Sequence, residues 1–234
     1  MTTSATTRGL RAQQLASLGV LLFATLLLSG CDAAQIRAAI AAEQQRRAEF
    51  TAVITTVTAV ELGASWRPGC PVGPDGLRAV TVSYWGMDGL GHRGTLVVSS
   101  SVTGSVTQAF RALWNMKFPI SSMRPVSEFG GDDRASMVAD NTSAFNCRTV
   151  AGSTRLSEHA FGRALDINPL RNPWVSRSRI DPPEAAAFVD RRRRDPGMFR
   201  AGEPAVRALA SAGWRWGGSW ASSKDYQHFS TTGR

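Results

Sequence analysis

Two short segments in the C-terminal third of the chain constrain it most. Ser157-Glu158-His159-Ala160-Phe161-Gly162-Arg163-Ala164-Leu165-Asp166 supplies a His and an Asp seven residues apart, and Asp225-Tyr226-Gln227-His228 supplies a second His with a carboxylate three residues before it. A fold that uses them together must bring about seventy residues of chain back onto itself. Two imidazoles and one carboxylate are ligands of the type zinc prefers, and three protein ligands leave a position open for water. The remaining carboxylate is then available as a base. Each half alone is weak, because a lone His is ordinarily a surface residue and Asp-x-x-His arises by chance.

The local sequence suits such a convergence. Gly162 and the small Ala164 permit a tight turn into a short strand, in which Ala164 and Asp166 face the same side. Ile167-Asn168-Pro169 ends that strand. On a turn, Asp225 and His228 would share a face.

Elsewhere, Ala79 to Tyr84 alternates in the manner of a strand, and Gly94 to Ser99 reads as its partner across the hairpin-like Gly86-Met87-Asp88-Gly89-Leu90-Gly91. Val106, Phe110, Leu113 and Trp114 recur at helical spacing within Ser105 to Lys117. Pro119 to Val126 suits one short strand, and Phe129 to Val150 reads as a long loop. Pro182 opens a predicted helix through Ala185, Phe188 and Val189. Glu203 to Ala212 is another, stopped by Gly213, with Trp214-Arg215-Trp216 as the following strand. Strands and helices do not alternate regularly, which favours an α+β fold: a small antiparallel sheet with flanking helices around a zinc cleft.

The N-terminal region reads differently. Met1 to Gly30 holds Arg8 and Arg11, no acid, and an apolar run from Leu18 to Leu28 that is short for a membrane span and fits a signal peptide. Leu28-Ser29-Gly30-Cys31 resembles the lipobox of bacterial lipoproteins, which implies acylation of Cys31 and export; an ordinary signal or short anchor with a chance Cys is the alternative. The expected organisation is a signal peptide at 1–30, a helical membrane-proximal stalk at 31–60 and a catalytic domain at 61–234. The formal charge of +9 would draw an exported protein to anionic envelope polymers. No nucleic-acid-binding motif is present, and no protein partner is implied. With Cys31 lipidated, Cys70 and Cys147 are the remaining cysteines. They form either a disulfide, favoured by an exported location, or two buried thiols.

The paired motifs resemble the zinc D-alanyl-D-alanine carboxypeptidase family, which also contains phage endolysin L-alanyl-D-glutamate peptidases and D-alanyl-D-alanine dipeptidases. Ser157 through Asp166 meets its Ser-x-His-x-x-Gly-x-Ala-x-Asp pattern. Asp225 and His228 meet its acid-x-x-His element, and Trp216-Gly217-Gly218 is similar to the endolysin-like branch. The resemblance implies one zinc ion held by His159, Asp166 and His228, with Asp225 as general base. It implies Arg148 as a cationic stabiliser of the reacting carbonyl, unless it is a surface residue paired with a carboxylate. Ser157 would bind substrate or support a ligand. His92 reads as structural or solvated, Arg191 to Arg194 as a solvated helix end or a contact for an anionic polymer, Asp132 and Asp133 as shaping the cleft or binding nothing, and Trp214, Trp216 and Trp220 as core or groove residues. The implied substrates are peptidoglycan stem peptides, cut by carboxypeptidase or endopeptidase action. A dipeptidase on free peptides and a noncatalytic wall-binding lipoprotein are the alternatives.

Overall fold

The computed structural model describes residues 33, 35–37 and 49–234. The expected signal peptide and Cys31 lie outside the described residues, as do residues 32, 34 and 38–48 of the expected stalk. The chain divides into a unit of residues 1–48, of which residues 33 and 35–37 are helical and exposed, and a folded unit of residues 49–234.

The folded unit starts earlier than its sequence suggests. Strand β1 (Ala52–Thr56), expected within the stalk, pairs antiparallel with β2 (Leu77–Gly86), Ala52 opposite Val82. Its run of β-branched residues favours extended backbone, and the edge of β2 gives it a partner. Thr58 and Glu61 then form a reciprocal capping box on the short helix α1 (Ala59–Leu62). The stalk thus cannot extend to residue 60.

Strand β2 and β3 (Gly91–Ser99) form the anticipated antiparallel hairpin, Val80 opposite Leu96. Val80, Val82, Leu96 and Val98 lie on one face and are wholly buried. Helix α2 (Thr103–Asn115) buries Val106, Ala109, Phe110, Leu113 and Trp114, a stripe at the 3.6-residue period, in the same core. On the opposite face Leu77 and Val97 pack with Val57, Leu62, Phe145 and Cys147. Cys70 and Cys147 form a disulfide there, their Cα atoms 5.9 Å apart.

The strand expected over Pro119–Val126 is split. β4 (Pro119–Ile120) runs parallel to β2, whereas β5 (Ser122–Met123) runs parallel to β6 (Asn141–Thr142). Between them the backbone N–H of Ser121 turns to the side-chain carbonyl of Asn168 at 3.0 Å. The expected loop from Phe129 to Val150 carries helix α3 (Asp133–Val138), capped by Asp132, as well as β6. Its residues from Asn141 to Cys147 are buried although mostly polar. Partners make that burial tolerable: Asn141 exchanges hydrogen bonds with the backbone of Arg124, at 2.9 and 3.0 Å.

The last third folds around a second small sheet. β7 (Ala164–Asp166) is followed by β8 (Trp174–Val175), β9 (Ile180–Asp181), helix α4 (Pro204–Ser211), β10 (Arg215–Trp216), β11 (Lys224–Asp225) and β12 (His228–Ser230). The order β10-β12-β7 is antiparallel throughout, and β11-β8-β9 forms a neighbouring sheet. The helix expected after Pro182 is a 3-10 segment, Pro183–Phe188. Arg192 and Arg193 are surface residues paired with Asp190 and Asp195. Arg191, by contrast, turns inward to the carbonyls of Arg171, Phe188 and Phe199 and the side-chain oxygen of Asn172, lying 4.3 Å over the Tyr226 ring. Burial lowers its pKa to about 10, which leaves it charged. The arginine run is therefore only partly solvated. Small, mainly antiparallel sheets packed with helices make a mixed fold, consistent with the α+β expectation.

Candidate metal centre

Antiparallel register assembles the site. His228 stands opposite Asp166 and Phe229 opposite Leu165. Side chains alternate across a strand, so the pair that sends Leu165 and Phe229 into the core sends Asp166 and His228 to the other face. His159 arrives on the 3-10 turn Glu158–Phe161, just before β7. Ser157 caps this turn, its hydroxyl accepting from the His159 backbone N–H at 3.3 Å. Gly162 ends it in the left-handed region, φ 63°. A Cβ at Gly162 would lie 2.5 Å from the Ser99 backbone nitrogen, so the turn can sit on the end of β3 only with glycine there.

His159, Asp166 and His228 offer ligand atoms that all lie within 4.8 Å of one another, and all three residues are buried. His159 Nε2 is 3.1 Å from one Asp166 oxygen, and His228 Nδ1 is 3.1 Å from the other. Both remote ring nitrogens face carbonyls: His159 Nδ1 donates to Ala144 at 2.5 Å and His228 Nε2 to Arg234 at 3.0 Å. Those bonds point the inner nitrogens, Nε2 of His159 and Nδ1 of His228, at the shared space, an arrangement typical of ligating histidines. Two neutral imidazole nitrogens and a carboxylate form a donor set that fits zinc.

Asp225 completes the group. Its Oδ1 is buried and has no hydrogen-bond partner among the described residues. Gly217 makes its approach possible, since a Cβ there would lie 2.7 Å from the Asp225 carbonyl oxygen and 2.9 Å from its Cβ. Burial raises the Asp225 pKa to about 7, against the lowering influence of His228 and Arg148. For Asp166 burial is likewise the largest single influence, but the charges and hydrogen bonds of His159 and His228 together outweigh it and hold the carboxyl well below its usual range. His228 is raised to about 9: burial opposes its charge, but the hydrogen bond and charge of Asp166 prevail.

Arg148 pairs through Nε with Asp133 of α3 at 3.0 Å, and both residues act electrostatically on Asp225. It is thus paired with a carboxylate and near the site at once. Among the tryptophans, Trp214 and Trp216 belong to the core, while Trp220 lies 5.5 Å from the His228 ring. His92 is remote in role, bonded to Asp88 at 3.0 Å and stacked on Tyr84. Sequence reasoning missed Ala144 and Arg234. Both act through backbone oxygens, which any residue has.

Residues 151–231, about a third of the chain, match a family model described as D-alanyl-D-alanine carboxypeptidase. The match contains His159, Asp166, Asp225 and His228, and leaves out Asp133, Ala144 and Arg148. No curated protein and no solved structure matches the chain.

Proposed function

We propose that this protein is a zinc-dependent peptidase that hydrolyses peptide bonds in peptidoglycan stem peptides. The observation that carries the reading is a buried His159–Asp166–His228 cluster, with an Asp225 carboxylate oxygen that is buried and unpartnered among the described residues, inside the segment similar to the carboxypeptidase family. Zinc held by the three ligands would supply Lewis acidity, acidifying water and polarising the peptide carbonyl. Asp225 takes the proton of the attacking water and later delivers it to the leaving amine. Arg148, oriented by Asp133, supplies positive charge where the carbonyl oxygen becomes anionic. Ser157 works one step back, fixing the turn that presents His159. The reading includes export and a lipid anchor at Cys31, which would hold the enzyme at the outer face of the cell membrane, near the wall.

The test is mass spectrometry of muropeptides incubated with the zinc-loaded protein, with and without a chelator. Chelator-sensitive loss of one alanine identifies a carboxypeptidase, and release of a longer stem peptide identifies an endopeptidase and its bond. Unchanged muropeptides with one zinc bound per chain would overturn the proposal.

A further inference from the structure

Beyond β12 the chain returns over the site. The Thr231 backbone N–H donates to the Arg163 carbonyl at 3.1 Å, just ahead of β7. The Gly233 N–H donates to the Ser230 hydroxyl at 3.0 Å, and Gly233 itself takes φ 81°, in the left-handed region. Trp220 Nε1 then donates to the Gly233 carbonyl at 2.9 Å, while the Trp220 ring rests 5.5 Å from the ring of His228. The next backbone oxygen, that of Arg234, accepts from His228 Nε2 at 3.0 Å. Three bonds thus lead to a fourth, which places an acceptor at the remote nitrogen of a candidate metal ligand.

We infer that residues 231–234 and Trp220 form a strap that positions His228 for metal binding. The chemistry lies in the two nitrogens of one ring. A neutral imidazole carries its proton on Nδ1 or on Nε2, and only the nitrogen without it can ligate. An acceptor fixed at Nε2 takes the hydrogen bond of that nitrogen's proton and turns Nδ1 toward the space shared with Asp166 and His159, where it can ligate once its own proton has left. Without that acceptor both tautomers are populated and the ring can rotate, so part of the population must rearrange before binding. Trp220 bears on both ends, through its bond to Gly233 and its contact with the ring. These are positioning roles, since the groups act through the His228 ring.

The inference rests on the metal-site reading, and its test does not depend on turnover. Two variants suffice: the protein truncated after Thr232, which removes the Gly233 and Arg234 carbonyls, and Trp220→Phe, which keeps the aromatic contact but loses the bond to Gly233. Zinc affinity is measured by chelator competition, and the His228 tautomer is read from 15N shifts of the zinc-loaded protein. The truncated protein should bind zinc about 10- to 100-fold more weakly, the usual range for loss of an outer-shell partner. Trp220→Phe should show a smaller loss, about threefold or more on the same scale. In the zinc-loaded truncated protein His228 should ligate through Nε2 as well as Nδ1, so that the single Nε2–H form is lost. Zinc affinity within twofold of the intact protein, with the tautomer retained, would overturn the strap. Should truncation prevent folding, Trp220→Phe decides, and an unchanged affinity there overturns it equally. Failure of the peptidase proposal would show instead as intact zinc binding with no cleavage of muropeptides.

Discussion

At Asp225 burial favours the neutral acid while His228 and Arg148 favour the anion, and the balance in the metal-free chain lies at about 7. Arg148→Gln removes one of the charges that favour the anion. The acid limb of the kcat/KM–pH profile should therefore move to higher pH, by about half a unit to one unit. An unmoved limb would remove Arg148 from the electrostatics of the site. Asp225→Ala should lower kcat by about 10²- to 10⁴-fold, the usual range for a general base, while one zinc per chain remains by elemental analysis. His228 gives a prediction about stability. Its pKa is raised in the folded metal-free chain from 6.5 to about 9, so over that interval the folded state holds a proton that the unfolded state has released. That contribution is fully present below pH 6.5 and lost as pH rises through about 9. Calorimetry in chelator should show the melting temperature falling by several degrees across that window, and a flat profile would contradict the assignment.

The turn from Ser157 to Gly162 shows what an element adds to its residues. Its end at Gly162 and β7 after it were legible because the residues that form them are contiguous, a turn glycine and an alternating strand, whereas Ser157, read as binding substrate or supporting a ligand, proves to be the cap that opens the turn. The β2–β3 hairpin and α2 were legible through their apolar periods. β1 was read as stalk because an edge strand exposed on both faces shows no alternation. The buried run Asn141–Cys147 was read as loop because polar partners distant in sequence hold it, and α3 because it is a short helix with a local Asp132 cap and no apolar stripe. The orienting carbonyls of Ala144 and Arg234 depend on tertiary placement alone. Gly162 offers a direct test of the element. Gly162→Ala would force a side chain into the left-handed region and against the Ser99 nitrogen, a backbone atom held by its own bond to the Gly162 carbonyl at 2.9 Å. A loss of about 2 kcal/mol is expected by urea denaturation, in line with strain at such positions. A loss below about 0.5 kcal/mol, the range of ordinary surface substitutions, would mean the turn is less constrained than its geometry indicates.

Across the folded unit, the site draws on more chain than the segment similar to the carboxypeptidase family. Ala144 orients His159, and Arg148 and Asp133 reach Asp225, all from residues N-terminal to position 151. The Cys70–Cys147 disulfide anchors the chain just beyond Ala144, which raises the question whether it serves stability or the site. A loop of 77 residues implies about 4 kcal/mol from restriction of the unfolded chain. In the folded state, however, the same segment is held independently. Phe145 N–H donates to Val97 and Cys147 N–H to Ser65, both at 2.9 Å, and Arg67 donates to the Cys147 carbonyl at 2.8 Å. These bonds keep Ala144 in place without the cross-link. The double variant Cys70→Ser, Cys147→Ser should therefore lose about 2–4 kcal/mol in urea. Below its unfolding midpoint it should bind zinc within about threefold of the intact protein, well short of the loss expected when an orienting partner is removed. A tenfold or greater loss of affinity in the folded variant would instead make the disulfide part of what orients His159, and the backbone bonds around it insufficient.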